Sequence, residues 1–150
     1  MNITAIIPAH DEAGVIARTI SNLRAATPPP DSIIVIADGC TDSTAQVAAQ
    51  SGAMVFQCNE GSKGGALKWL FAQDPAGLKD PRGLDVIFDA DSIVSPNFFA
   101  EVRHAFKGGA QATQGFVSPV IPTPSMAEIA SQITLAMTVP ALAAYSEVLS

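Results

Sequence analysis

Two aspartates, Asp89 and Asp91, stand one residue apart directly after an apolar run at positions 86–88. In an extended segment, residues i and i+2 project to the same side of the backbone, so both carboxylates can face one point. Hard oxygen ligands that leave other positions open suit Mg²⁺ or Mn²⁺ bound together with phosphate oxygens. A metal held in this way would neutralise a diphosphate leaving group. The alternative is a turn whose aspartates only cap the segment at 92–95.

A second acidic cluster, at residues 38–42, follows another apolar run. Asp38 is placed to accept hydrogen bonds from a base N–H or a ribose hydroxyl, and Gly39 lets the backbone approach a ligand closely. Asp42 is interpreted as a helix cap rather than a ligand contact.

The first apolar run of the chain ends in a third cluster, at residues 8–12. Pro8 fixes the direction in which the chain leaves the strand, and the small Ala9 leaves room for a flat ring. Glu12 can bond a base or a ribose. Asp11 is interpreted as the cap of the following helix, and His10 as a solvent-facing loop residue.

A positive charge enters at Lys63, inside a glycine-rich segment at 61–65. Glycines and a helix N-terminus offer free N–H groups, and the lysine adds a cation for an anionic ligand. The segment does not match the Walker pattern. A flexible turn with a solvated lysine is the alternative interpretation.

The composition limits the partners of this chain. It has 150 residues, 48% of them apolar, which is enough for one hydrophobic core. The formal net charge is −6 and no basic run occurs, which argues against nucleic-acid binding.

Cys40 and Cys58 lack the spacing of zinc ligands, so free thiols in a cytoplasmic protein are expected. The tail at 129–149 is interrupted by polar residues and is expected to be a buried or surface helix rather than a membrane span.

Short β-rich runs alternate with helical segments, which predicts an α/β fold with a mostly parallel sheet and helices on both faces. Strands are expected near residues 3–7, 32–37, 53–57, 84–88 and 110–117. Residues 118–125 contain three prolines and are expected to be irregular, and the rest of the tail is expected to be helical. Ligands of such sheets bind beyond the carboxyl ends of the strands, where all four clusters fall.

In chain order, the four segments resemble family 2 glycosyltransferases, the group that includes cellulose- and hyaluronan-type synthases. Residues 6–12 resemble the Pro-Ala-x-Asn-Glu segment of that family, and residues 36–44 its Asp-Gly-Ser-Thr-Asp-x-Thr segment. Residues 63–67 resemble its Gly-Lys-x-x-Ala-Leu segment, and residues 89–98 its metal motif and following helix. The resemblance covers roughly residues 3–117. The departures, His10-Asp11 and Cys40, remove no needed group.

The resemblance implies a GT-A fold, a Rossmann-like sandwich, with a UDP-sugar donor and Mg²⁺ or Mn²⁺. It implies transfer of the sugar to an acceptor hydroxyl with inversion at the anomeric carbon, as in polysaccharide biosynthesis. By position, the nucleoside would be held by Pro8, Ala9, Glu12 and Asp38. Lys63 would contact the base edge or the phosphates. Asp89 would lie near the ribose at the metal site, and Asp91 would bind the metal.

The general base of the resembled family comes from a later segment, which would lie beyond Ser150. Only Glu128 and Glu147 follow the predicted strands, and neither sits in a matching motif. Residues 1–117 are therefore expected to be the nucleotide-sugar-binding half. Residues 118–150 are expected to be a Pro-rich connection and a C-terminal helix that begin an acceptor half. We expect donor binding without efficient transfer, a carbohydrate or lipid-linked acceptor, and membrane association at the cytoplasmic face through the missing region.

Two other functions are compatible with some of these residues. A sugar-phosphate nucleotidyltransferase would have a similar sheet, but its glycine-rich, arginine-containing loop is missing after the first strand. A non-catalytic nucleotide-binding module is the alternative from another class. A dehydrogenase is disfavoured because no G-x-G-x-x-G follows a strand.

Overall fold

The computed structural model describes residues 1–74, 77–78, 82–115 and 135–138. Strands and helices alternate through most of this part of the chain, as the hydrophobic pattern predicts. The strands are β1 (Ile3–Ala9), β2 (Ser32–Asp38), β3 (Met54–Cys58), β4 (Leu84–Ile87), β5 (Ala112–Gln114) and β6 (Leu135–Thr138). The helices are α1 (Ile16–Ala25), α2 (Thr44–Gln50), α3 (Lys63–Gln73) and α4 (Phe98–Lys107).

The six strands form one sheet in the order β3-β2-β1-β4-β6-β5. β1 is parallel to β2 on one side and to β4 on the other, and β2 is parallel to β3. β6 is antiparallel to both of its neighbours, β4 and β5. The predicted mostly parallel sheet is therefore confirmed, with an antiparallel pair of strands at one side.

Helices cover both faces of the sheet, because side chains of successive strand residues point to opposite sides. On one face Ile3, Ala5 and Ile7 of β1 pack in a core with residues of α1, α2 and α4. On the other face Ile6 packs in a second core with residues of α3. This double burial explains why β1, β2 and β4 read as almost continuous apolar runs.

The predicted role of Asp11 as the cap of α1 is wrong. The helix begins at Ile16, and Val15, which precedes it, makes no side-chain cap. Asp11 has a left-handed backbone (φ 53°), and its carboxylate accepts hydrogen bonds from the backbone N–H groups of Thr41 and Asp42 instead. The neighbouring loop offers free N–H groups that are not visible in the local sequence.

The predicted helical tail is also wrong where the structure describes it, because residues 135–138 form β6. The backbone groups of β4 need partners on the side away from β1, and an apolar tail segment supplies them as a strand. Periodicity alone does not separate a short apolar strand from a buried helix.

The predicted strand at 110–117 is observed as the shorter β5, and the irregular stretch at 118–125 lies outside the described residues. Within the described ranges, no helix is long and apolar enough to cross a membrane.

One buried carboxylate lies near the amino ends of the strands, at the edge opposite the four predicted loops. Asp85 of β4 is 2% exposed, and its Oδ2 has no hydrogen-bond partner. It lines a cavity of about 320 Å³ together with Thr4 and Ser32. Burial raises the pKa of Asp85 to about 7, and the negative charge of Asp74 adds to the rise.

Asp85 should make stability depend on pH. Its folded pKa of about 7 lies above its unfolded value, so the folded state holds a proton that the unfolded state releases, and stability falls as pH rises to about 7. Asp85→Asn removes this penalty. The gain in free energy of unfolding, measured by urea denaturation, should be larger at pH 8 than at pH 5 by roughly 2.5 kcal/mol. An equal gain at both pH values would contradict the buried, protonated state.

Candidate functional site

Four of the residues proposed from the sequence line one cavity at the carboxyl edge of the sheet. The parallel register places Ala9 of β1 beside Ala37 of β2, and Asp38 beside Cys58 of β3, so the loops that follow these strands are neighbours. The cavity has a volume of about 260 Å³ and is lined by Pro8, Ala9, His10, Asp38, Gly61, Ser62, Lys63 and Ala66. Tertiary structure thus brings together three of the four predicted loops in this one cavity.

Asp38 holds the loop between β3 and α3 against the end of β2. Its Oδ1 accepts hydrogen bonds from the backbone N–H groups of Glu60 (2.6 Å) and Gly61 (3.3 Å) and from the thiol of Cys58 (3.5 Å). Burial alone would raise the pKa of Asp38, but the backbone hydrogen bonds outweigh it and lower the pKa below its usual range. Asp38 is therefore an ionised carboxylate at the cavity wall.

His10 lines the cavity and also faces solvent, with 67% of its side chain exposed, as the sequence predicts. Its ring Nδ1 lies 2.6 Å from the carbonyl oxygen of Asp38. Since a carbonyl only accepts, Nδ1 carries the hydrogen and Nε2 is the acceptor in the neutral ring. This hydrogen bond is the main reason that the pKa of His10 is raised, with smaller contributions from Asp11 and other nearby carboxylates. The only sequence signal for this role is its position next to Ala9.

Asp11 and Asp42 join the loops that follow β1 and β2. Asp11 accepts hydrogen bonds from the N–H groups of Thr41 (2.7 Å) and Asp42 (3.1 Å), and these bonds lower its pKa. Asp42 accepts from the hydroxyl and the N–H of Thr44, the first residue of α2, which lowers its pKa too. Its Oδ2 also accepts from the N–H of Ala13. The cap position of α2 is Ser43, which makes no side-chain cap, and Asp42 one residue earlier accepts from the N–H of the first helical residue instead.

Ligand atoms of Asp11, Cys40 and Asp42 lie within 4.8 Å of one another, a spacing that could hold a metal ion. Both carboxylates, however, already accept backbone N–H groups. The Cys40 thiol lies 3.4 Å from the carbonyl oxygen of Ala9, to which it donates. These contacts explain the cluster as a brace between two loops.

Helix α1 positions the loop that contains Asp89 and Asp91. The buried hydroxyl of Thr19 donates to the carbonyl of Ala90 (2.6 Å). The side-chain amide of Asn22 accepts from the N–H of Val94 (2.7 Å) and donates to its carbonyl (3.3 Å). Because these bonds join residues 71 and 72 positions apart in the chain, the aspartate loop is held to the body of the domain and not only to β4.

The ammonium group of Lys63 contacts the carboxylate of Asp89 directly. Lys63 is the first residue of α3, whose N-terminus is capped by the Ser62 hydroxyl accepting from the N–H of Gly65 (3.1 Å). Both partners are partly exposed, with side-chain exposures of 44% for the lysine and 32% for the aspartate. The same lysine also lines the cavity, so the pair connects the cavity to the aspartate loop.

Glu12 lies close enough to the aspartate loop to sense its charge. Burial raises the pKa of Glu12, and the negative charges of Asp91, Asp42 and Asp89 raise it further. Its backbone N–H donates to the hydroxyl of Thr44 (2.7 Å), which fixes its position at the end of the loop. Glu12 does not line the cavity, and it lies near the carboxylates of Asp91, Asp42 and Asp89.

Glu12 lies near Asp89 and Asp91 of the aspartate loop, but among the described residues only Asp11, Cys40 and Asp42 form a group of three with ligand atoms within 4.8 Å of one another. A cation would therefore have to draw the carboxylates of Glu12, Asp89 and Asp91 together. The negative charges of Asp91 and Asp89 add to the raised pKa of Glu12, and a cation bound among the three would remove this repulsion. All three offer hard oxygen ligands, the kind that Mg²⁺ and Mn²⁺ prefer.

Comparisons of the sequence with known proteins find a family profile and a relative. The sequence profile of the family described as "Glycosyltransferase like family 2" matches residues 1–131. Protein RfbJ of Shigella flexneri is 35% identical over 91 residues, which cover 61% of this chain and 70% of that protein.

Solved structures match the fold. Glucosyl-3-phosphoglycerate synthase from Mycobacterium tuberculosis, crystallised in complex with Mn²⁺, UDP and phosphoglyceric acid, matches with a TM-score of 0.60 and 26% identity. The match covers 77% of this chain and 43% of the other. Mannosyl-3-phosphoglycerate synthase from Rubrobacter xylanophilus matches with a TM-score of 0.52 and 26% identity, over 65% of this chain and 33% of the other. The chain thus spans less than half the length of these two solved chains. The predicted GT-A fold and the predicted family resemblance are confirmed.

The hydrogen bond from Thr19 can be tested by an isosteric substitution. Thr19→Val keeps the shape but leaves the buried carbonyl of Ala90 without its donor, which should lower the free energy of unfolding by about 1–3 kcal/mol. Thr19→Ser is the matched control, because it keeps the hydroxyl and removes a methyl group. Urea denaturation should rank the variants with Val below Ser, and the reverse order would show that the hydroxyl does not hold the loop.

The raised pKa of His10 can be measured by following its ring resonances in NMR as pH is varied. Its pKa should exceed the value in the urea-unfolded chain, and added salt should preserve most of the difference, because the main cause is a short-range hydrogen bond. The linked contribution to stability should be fully present below the unfolded pKa and lost as pH rises through the folded one. A folded pKa at or below the unfolded value would rule out the hydrogen bond to Asp38.

Proposed function

This chain belongs to glycosyltransferase-like family 2, and we propose that it binds a UDP-sugar together with Mg²⁺ or Mn²⁺. The reaction it serves is metal-dependent transfer of the sugar to an acceptor hydroxyl with inversion. The observation that carries the proposal is the position of Lys63, which lines the cavity and contacts Asp89 of the aspartate loop. A cavity for a nucleoside and an acidic site for a metal are thereby adjacent, as a nucleotide diphosphate requires.

Each side of the cavity suits one part of the nucleotide. Pro8 and Ala9 offer an apolar wall of small side chains against which a flat base can lie. The ionised Asp38 can accept a hydrogen bond from a base N–H or a ribose hydroxyl. Lys63 stands at the side that leads to Asp89 and can reach the phosphates.

The proposed metal ligands are Asp91 and Asp89, with Glu12 beside them. The bound ion would neutralise the diphosphate as the bond to the sugar breaks. Thr19 and Asn22 hold the backbone of the aspartate loop in place, so only the side chains of Asp89 and Asp91 would need to move to receive the ion.

The known ligands of the related enzyme support the choice of nucleotide. The Mycobacterium tuberculosis synthase was crystallised with UDP and with Mn²⁺ and, in another crystal, with UDP and Mg²⁺. RfbJ is similar over most of its own length. None of these matches points to a sugar-phosphate nucleotidyltransferase or to a non-catalytic module.

The acceptor and the general base belong to the proposal as well. None of the residues given a role above acts as the base, and we place the base in a later segment, as the family resemblance implies. The acceptor is proposed to be a carbohydrate or a lipid-linked sugar. The reaction is proposed to take place in the cytoplasm, at the membrane face when the acceptor is lipid-linked.

The proposal is tested by calorimetric titration of the chain with UDP, with and without Mn²⁺. Binding should require the metal, and Asp91→Ala should weaken it by more than about tenfold, because a charged metal ligand is lost. Glu101→Gln is the control, since it removes one negative charge from an exposed position on α4 outside the cavity. Equally tight UDP binding without metal would contradict the proposal and indicate a general nucleotide pocket.

A further inference from the structure

Lys63 neutralises one of the two proposed metal ligands before any nucleotide is present. Its ammonium group contacts Asp89 Oδ1, while the neighbouring Glu12 feels the negative charges of Asp91 and Asp89. The ammonium group of Lys63 therefore balances part of the negative charge of Asp89, Asp91 and Glu12, whose carboxylates would otherwise repel one another more strongly.

A divalent cation and this ammonium group compete for the same carboxylate. A protonated amine partly neutralises the negative charge of the carboxylate oxygen that it contacts, so this oxygen binds a metal ion less strongly. The two cations also repel each other at such short range. Both side chains are partly exposed, so the ion pair is of the weak, exchangeable kind found near protein surfaces.

The nucleotide brings the group that can draw the lysine away. Lys63 already lines the cavity in which the nucleoside is proposed to lie, and a diphosphate attached to that nucleoside would extend towards it. A doubly or triply charged diphosphate is a stronger partner for an ammonium group than a single carboxylate is. As the first residue of α3, Lys63 can turn its side chain without unfolding the helix.

We propose that Lys63 exchanges between Asp89 and the nucleotide diphosphate, so that the metal ion gains full use of Asp89 only when the nucleotide binds. Metal and nucleotide then bind cooperatively, and the metal alone binds weakly. This inference rests on the proposed function and adds to it a coupling between binding of the metal and binding of the nucleotide. Because the coupling is an equilibrium property, it is reciprocal: the metal raises nucleotide affinity by the same factor.

The test is a titration with Mn²⁺ alone, followed by electron paramagnetic resonance of the free ion. Lys63→Gln should bind Mn²⁺ about two- to fivefold more tightly than the wild-type chain, which is the range expected when a surface ion pair no longer competes. Lys63→Arg should bind like wild type, because the guanidinium can keep the ion pair. Lys68→Gln is the matched control, since it removes the same charge from an exposed position of the same helix and should leave Mn²⁺ affinity unchanged.

The second arm measures UDP affinity at saturating Mn²⁺. Lys63→Gln should bind UDP at least about threefold more weakly, since the phosphates lose a cation. The substitution thus improves binding of the metal and weakens binding of the nucleotide. In an Asp89→Asn background, Lys63→Gln should no longer improve Mn²⁺ binding, because the carboxylate for which they compete is gone.

The outcomes separate this inference from the proposed function. If Lys63→Gln and wild type bind Mn²⁺ equally while UDP still needs the metal and Asp91, the exchange is overturned and the donor site stands. The exchange is likewise overturned if Lys68→Gln tightens Mn²⁺ binding as much as Lys63→Gln, which would indicate a general charge effect. If UDP and Mn²⁺ fail to bind in any combination, both the donor site and the exchange are refuted.

Discussion

Strand β1 is hydrogen-bonded in parallel to β2 on one side and to β4 on the other, and every feature of the candidate site depends on this double pairing. Parallel strands end at the same edge of a sheet, so the chain leaves all three strands on one side of the domain. The apolar residues of β1 are buried on both faces and hold it at the centre. A one-residue slip would exchange its two faces and is therefore strongly disfavoured. Polar loops distant in sequence meet at this edge as a consequence.

The second constraint is electrostatic, because many carboxylates gather at that edge in a chain of net charge −6. The structure stabilises them in different ways. Asp38 and Asp11 accept backbone N–H groups from neighbouring loops, and Asp89 contacts the ammonium of Lys63. Glu12 is left with a raised pKa among other negative charges. Asp38 and Asp11 therefore act as structural braces between loops, whereas Asp89 is balanced by the charge of Lys63.

Much of the site was predictable because its residues stand at the ends of apolar runs that identify the strands in the sequence. The sequence predicts that Pro8, Ala9, Asp38 and Lys63 lie at the carboxyl edge of the sheet. The structure places them in the last residues of β1 and β2 and the first residue of α3, and all four line one cavity. The roles of His10 and Asp11 were not predictable, since both depend on partners 28 to 31 residues away in the next loop. The same holds for Thr19, which reads as an ordinary helix residue and yet holds the aspartate loop.

The amino-acid sequence by itself determined the fold class, the family and the order of the polar loops, because these depend on hydrophobic periodicity and on motifs local to the chain. The tertiary structure alone decided which polar groups are partners: the loop brace at Asp11, the ion pair of Lys63 with Asp89, and the strand formed at residues 135–138. The physical reason is that hydrogen bonds and ion pairs are short-ranged. They depend on distances in space, which local sequence patterns do not encode, whereas the burial of an apolar face is already visible in the spacing of residues along one strand or helix.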